Sequence, residues 1–456
     1  MGPVHRLAPA LILTLALAPG AGASSLYSGP GPKPGPALLY EPLAAAAQLQ
    51  NAPGSVWQAK PILISGAEAY RQGEFLYQGF LYDDHGAHEE LDPSDPRISS
   101  ATFSQPNGTY TYPTDPAYAE NAANLVEFRV KPLQRATAFR VTLNTMHAPT
   151  LIAFTVALGG HAGEVQPFPY GANVTAPATA FLTVHPDQVG TALTAEVQTG
   201  GSTQSSGQAS GSGTVSAPVP VQVDRLRRQI EVDVPHRDWN PGRRTVRMEL
   251  GVGLWDKSNY RYLLPGQSAT ATTPGGAGTA SSPPAFFDSG FRTHEPMTDL
   301  HELNSVPATA QSPAWWRDAD QGQALAAGDI TSLAAFVDFA KLNAGVTDNR
   351  AVPRTGPMDR IMASHFEPGQ GIAPGYSSTC AQGDSGCAYQ GQLQPYAVYI
   401  PTKPAPAAGY GATLLLHALF TNYNLYLSSR NESEFGEAGA GSIVITPEAR
   451  GHDGNY

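Results

Sequence analysis

Apolar residues recur along most of this chain in short runs bounded by Gly, Pro, Asn and Asp, and seldom at the spacing of a helical face. Residues 61–65, 75–82, 126–130, 138–143, 151–158, 181–184, 230–234 and 245–254 form such runs. They are rich in the β-branched and aromatic side chains that suit a pleated, half-buried surface. With turn residues between them, they predict a mainly β fold built as an antiparallel sandwich. Two stretches interrupt the series, 199–216 (TGGSTQSSGQASGSGTVS) and 268–284 (SATATTPGGAGTASSPP). Neither holds enough apolar surface to offset its ordering entropy, so both are expected to be flexible Gly/Ser-rich loops.

Beyond Pro284 the pattern changes. Residues 315–343 carry the helical signal, with Asp329 placed to cap a helix whose apolar positions include Leu333, Phe336, Val337 and Ala340. From Tyr396 the chain reads strand (397–400), strand (412–417), helix (423–433), strand (442–446), the order of an α/β sheet. The expected organisation is a sandwich over 24–300, a connector with a helix and a disulfide loop over 301–390, and a partial α/β sheet over 391–456. The edge of 442–446 is expected to lie open.

The first 23 residues refine this picture. Arg6, the apolar run 7–18, Pro19 and Ala21-Gly22-Ala23 follow the order of a cleavable secretory signal, with cleavage after Ala23. The apolar run falls short of the ~20 residues that a spanning helix needs. An extracellular protein with no membrane insertion after cleavage is expected. Only 14% of the 456 residues are charged, against 47 Gly and 41 Pro, which favours short strands and turns. The net charge of −11 is spread along the chain without a basic block, which argues against nucleic acid as a partner. Cys380 and Cys387 are the only cysteines, and a disulfide closing a small loop is the expected reading in an exported chain.

Candidate chemistry is concentrated between Tyr82 and Tyr118. Asp83, Asp84 and Asp115 are hard oxygen donors on turn-forming sequence, and they serve either a calcium site or the capping of their own turns. Tyr110, Tyr112 and Tyr118 either present a sugar-stacking face or fill the edge of the sandwich. Gly383-Asp384-Ser385-Gly386 looks like the nucleophile segment of trypsin-like proteases. It lacks the following Gly and any matching His and Asp segments, so it is read as a turn. No G-x-S-x-G elbow occurs anywhere in the sequence.

Two resemblances follow from these residues. Asp83-Asp84-His85-Gly86 with Gly108-Thr109-Tyr110-Thr111-Tyr112-Pro113 resembles the D-D-x-G…G-x-Y-x-Y-P signature of the C-terminal binding module of glucodextranase. Residues 139–143 and Gly253-Leu254-Trp255-Asp256 support it over about residues 26–300. The resemblance implies a β-sandwich that binds polysaccharide or a cell-wall glycan; residues 85–106 stand between the two halves of the signature. The second is in 412–419 (ATLLLHAL) and 442–456 (SIVITPEARGHDGNY), which resemble the opening third of a secreted α/β-hydrolase of the esterase or prolyl-oligopeptidase type. That resemblance puts an oxyanion-type loop at His417, Ala418 and Leu419, and places the nucleophile, acid and catalytic His in sequence later than any found here.

Overall fold

A computed structural model describes residues 45–87, 110–118, 122–161, 163–200, 214–293, 319–364, 391–416, 423 and 426–447, with the backbone of 203–205 and 208–210. The signal-like segment, Cys380, Cys387 and His417 to Leu419 lie outside these residues.

The protein is mainly β. Its first layer runs in the order β1 (Glu68–Arg71), β2 (Glu74–Gln78), β3 (Leu125–Pro132), β4 (Ala136–Leu143), β14 (Gln229–Pro235), β13 (Val219–Asp224), all antiparallel. At Val219↔Ala195, β13 crosses into a second layer ordered β9 (Leu193–Thr199), β8 (Ala180–Pro186), β5 (Ile152–Leu158), β15 (Thr245–Asp256). Short strands β16 (Arg261–Tyr262), β17 (Phe286–Ser289) and β18 (Ala335–Asp338) pair with the long β15, and β12 (Thr214–Val215) pairs with β9. Period-two alternation makes this work. Phe128, Phe139 and Ile230 from one layer join Phe154, Leu182, Val184 and Leu250 from the other in a single apolar cluster. Each such side chain contributes about 1.5–3 kcal/mol on burial.

The opposite face of the first layer is polar yet equally buried. Arg129 bonds Glu74 at 2.8 Å and Glu127 at 2.6 Å, and Arg140 reaches Glu127 at 3.0 Å. Glu74 also accepts from the backbone of Gln58 and Ala59. The ion network thereby clamps the incoming segment across the sheet.

Three expectations are corrected. Residues 335–338 form β18 on β15 and not a helix; Asp329 caps only its own turn through Thr331 N, whereas Asp338 caps the short α2 (Phe339–Asn343) through Ala340 N and Lys341 N. The helix of this region lies earlier, at α1 (Ala319–Ala326). In the first Gly/Ser-rich stretch, β10 (Thr203–Ser205) and β11 (Gln208–Ser210) form a hairpin. The second is held by backbone bonds that its small residues permit: Gly275 bridges Thr111, and Thr270 and Ala271 accept from Thr114 and Asp115. A further hairpin, β6 (Val165–Pro167) with β7 (Thr175–Pro177), precedes β8.

The C-terminal sheet begins inside the segment read as a connector. Its order is β19 (Gly356–Ala363), β20 (Leu393–Ile400), β22 (Ser442–Pro447), β21 (Gly411–Leu414). The pairs β19/β20 and β20/β22 are antiparallel, and β21/β22 is parallel. Helix α3 (Arg430–Glu437) makes the crossover that a parallel pair requires. Strand 442–446 is therefore interior, and among the described residues the open edge belongs to β21, where Leu414 is 63% exposed. No described helix is long and apolar enough to cross a membrane.

Candidate functional site

The signature residues meet at one end of the sandwich, although the sequence separates them. Gly86 N–H donates to Phe287 O, and Tyr110 N–H donates to His85 O. The Tyr112 hydroxyl donates to the Asp84 carboxylate and accepts from Ala123 N–H. Gly86 has φ +67, and a Cβ there would lie 2.0 Å from the Tyr110 ring, so both the turn and the packing require glycine.

Asp83 is buried and central. It accepts from Arg292 at 2.6 Å and from Asn124 at 2.7 Å, while Gln321 binds its carbonyl at 2.7 Å. Asp288, on β17, accepts from Leu125 N–H at 2.6 Å. Burial first, and then the neighbouring Asp83 carboxylate, push the Asp288 pKa well above the usual carboxylate range. Arg292 stacks on Phe80 at 4.3 Å and also walls a cavity of about 400 Å³ with Thr293, Gln323, Ser332 and Leu333. The D-D-x-G turn thus fixes Arg292, the one charged side chain among the described residues that line that cavity.

The predicted tyrosine face is not presented to solvent. Tyr110 is 2% exposed and donates to Pro284 O at 2.7 Å. Tyr112 stacks on Phe287 at 4.7 Å, and Tyr118 is buried. These rings fill the sandwich edge, the second of the two readings of the sequence. Burial raises the pKa of Tyr112 well above its ordinary value, and the Asp84 charge adds to it.

Calcium takes about six to eight oxygen ligands. Asp83 and Asp84 hold Arg292, Asn124 and Tyr112, and Asp115 caps its own turn through Ala117 N–H. Among the described residues no three His, Cys, Asp or Glu side chains gather to hold a metal ion, so Asp83, Asp84 and Asp115 do not form one site. What the sequence did not reveal is the role of Asp288, Arg292 and Gln321; Phe286-Phe287-Asp288-Ser289, an apolar pair before a polar pair, was the one local signal for them.

No protein-family model matches the chain, and no curated protein matches it.

Proposed function

We propose that the sandwich is an extracellular carbohydrate- or cell-surface-binding module. The observation that supports this reading is the convergence of Asp83, Asp84, Gly86, Tyr110 and Tyr112 on one junction. These are the residues that carry the resemblance to the glucodextranase module, and here they act as its frame, not as its binding face. The test is retention of the purified chain on insoluble α-glucans and cell-wall preparations, with and without chelator. Retention is expected, and failure on every matrix rejects the reading.

A second reading concerns the C-terminal sheet, and one specific observation favours it. Strand β21, followed by a loop and then α3 and β22, is a parallel β-α-β unit. In α/β-hydrolases the loop after the third strand supplies an oxyanion N–H donor, and β21 is the third strand of this sheet. By this reading the sheet is the opening of a serine hydrolase fold. With no nucleophile elbow in the sequence, residues 1–456 are expected to turn over no nitrophenyl ester. Turnover abolished by a serine-directed inhibitor counts against this.

A further inference from the structure

The cavity beside Arg292 measures about 400 Å³, within the range of roughly 300–1,000 Å³ typical of small-ligand sites. Three segments wall it, and each is held in place by the protein itself. Helix α1 supplies Gln323 and Ala324; its Gln321 side chain donates to Asp83 O at 2.7 Å and accepts from Ser289 N–H at 3.0 Å. The turn with Ser332 and Leu333 is tied back where Thr331 N–H donates to Asp329 at 2.8 Å and Arg247 donates to Thr331 O. Phe291, Arg292 and Thr293 complete the wall. Phe291 (φ +68) holds a left-handed backbone that bulky residues disfavour, and its ring is fixed against Tyr77 at 5.2 Å and Phe128 at 5.4 Å. Strain of this kind collects where a ligand is held.

The wall is apolar where it is buried and polar where it meets water. Phe291 and Leu333 are buried, whereas Thr293, Gln323 and Ser332 are exposed, so two hydroxyls and an amide are open to an entering molecule. One further acid faces this region. Glu68 stands opposite Tyr77 in the β1/β2 pair and on the same face of β1 as Tyr70. Tyr77 donates to Arg292 O at 2.9 Å and Tyr70 to Phe336 O at 3.1 Å, so this face of β1 looks toward the segments that bound the cavity. Glu68 is partly buried, and burial alone pushes its pKa up to about 7.

We infer that this cavity binds a unit of a neutral saccharide, an inference that rests on reading the sandwich as a glycan binder and names where that glycan sits. Charge selects the class. Arg292 is already paired with Asp83 at 2.6 Å and has no net charge to offer an anion, which Glu68 would also repel. A cation would meet the Arg292 guanidinium. A neutral, hydroxyl-rich ring fits what is left. Thr293 and Ser332 give and accept hydrogen bonds, as does the Gln323 amide, and Glu68 accepts. Phe291 and Leu333 meet the C–H side of the sugar.

The test is calorimetric titration of the whole chain with isomaltotriose, maltotriose, laminaritriose and chitotriose, repeated with Gln323→Ala, Glu68→Gln and Ser332→Trp, the last of which fills the cavity. The wild type is expected to bind at least one trisaccharide, and each variant to bind it about tenfold more weakly or worse. Gln323 and Ser332 are exposed, so their variants should keep the wild-type melting temperature while binding falls. If Ser332→Trp fails to fold, Gln323→Ala and Glu68→Gln decide. Equal affinity in wild type and variants overturns the site and leaves the glycan reading standing, and so does a wild type that is retained on a polymer but binds no trisaccharide. Tighter binding of glucosamine or inorganic phosphate, lost in the same variants, overturns the neutral class. A wild type that neither binds a trisaccharide nor is retained on any matrix overturns both readings.

Discussion

At Gly86 two requirements coincide, a positive φ and the Tyr110 ring 2.0 Å from any Cβ. Gly86→Ala should therefore cost about 2–4 kcal/mol, combining left-handed strain with overpacking. Tyr110→Phe, which loses only the bond to Pro284 O, should cost about 1 kcal/mol. Urea unfolding measures both, and a Gly86→Ala chain as stable as wild type rejects the packing argument. The carboxylates of the same junction separate in a second way. Burial and the neighbouring Asp83 charge favour the neutral form of Asp288, and an Asn side chain keeps its shape and the oxygen that accepts from Leu125 N–H, so Asp288→Asn should change stability by less than about 1 kcal/mol. Asp83→Asn leaves the buried Arg292 without its carboxylate at 2.6 Å and should cost on the order of 3 kcal/mol. Equal losses for the two variants at pH 7 argue against this division of roles. The sequence marks Asp83, Asp84 and the tyrosines because turn carboxylates and aromatics stand out locally. Their burial depends on Phe287 and Asp288, some two hundred residues downstream, which no local pattern reports. Gln198, His185 and Trp255 are likewise scattered over three strands and meet only through strand pairing.

Among the elements, strands were the legible part, because alternation such as Phe128/Val130 against Glu127/Arg129 follows directly from the pleat. The 329–340 helix was misread because Leu333, Phe336, Val337 and Ala340 fit a helical period. Val337 instead pairs with Val246, and Phe336 turns outward beneath Arg247. Helix α3 had a sharper signal than apolar spacing. Ser429-Arg430-Asn431-Glu432 has the spacing of a capping box; Ser429 Oγ accepts from Glu432 N–H, and the Glu432 carboxylate reaches one residue further back to accept from Ser428 N–H. Glu432 is fully buried, and burial pushes its pKa up to about 8; the Ser428 N–H opposes this and the Asp359 charge adds to it. In the unfolded chain it titrates near 4.5, so between about pH 4.5 and 8 the folded state binds the extra proton. Stability from this group is complete below pH 4.5, falls as pH rises toward 8 and is flat above, by up to roughly 5 kcal/mol. Glu432→Gln should remove that slope and raise stability at pH 9, as urea midpoints across pH 4–9 will show. An unchanged slope in the variant assigns the dependence to other groups.

For the molecule as a whole, the decisive feature is that residues 44–456 form one compact unit. Ala59, Ile62, Ile64, Ala69 and Leu76, from β1, β2 and the segment before them, share an apolar cluster with Met358 of β19 and Val398 of β20, against which Ile443 and Ile445 of β22 pack. A second cluster joins Leu81, Tyr82 and Val126 to Ile361 and Leu393, and the Tyr82 hydroxyl donates to Leu393 O at 2.9 Å. The sequence divides these regions because their grammar differs, antiparallel strands in one and strand-helix-strand in the other. The physical boundary is nonetheless an apolar contact made on both sides by side chains of the core type. Layers joined in this way lose that burial together, so sandwich and C-terminal sheet should unfold in one transition. Ile64→Ala removes a side chain 7% exposed at that contact and should cost about 2–4 kcal/mol. Because the loss is shared, it should lower the protection against hydrogen exchange at β15, in the sandwich, and at β20 to the same extent. Removing residues 353–456 should expose Ile62, Ile64 and Leu76 together, creating an apolar patch that binds a hydrophobic dye and promotes self-association. A truncated chain that stays monomeric, binds no dye and keeps the wild-type melting temperature would show that the two sheets are independent domains.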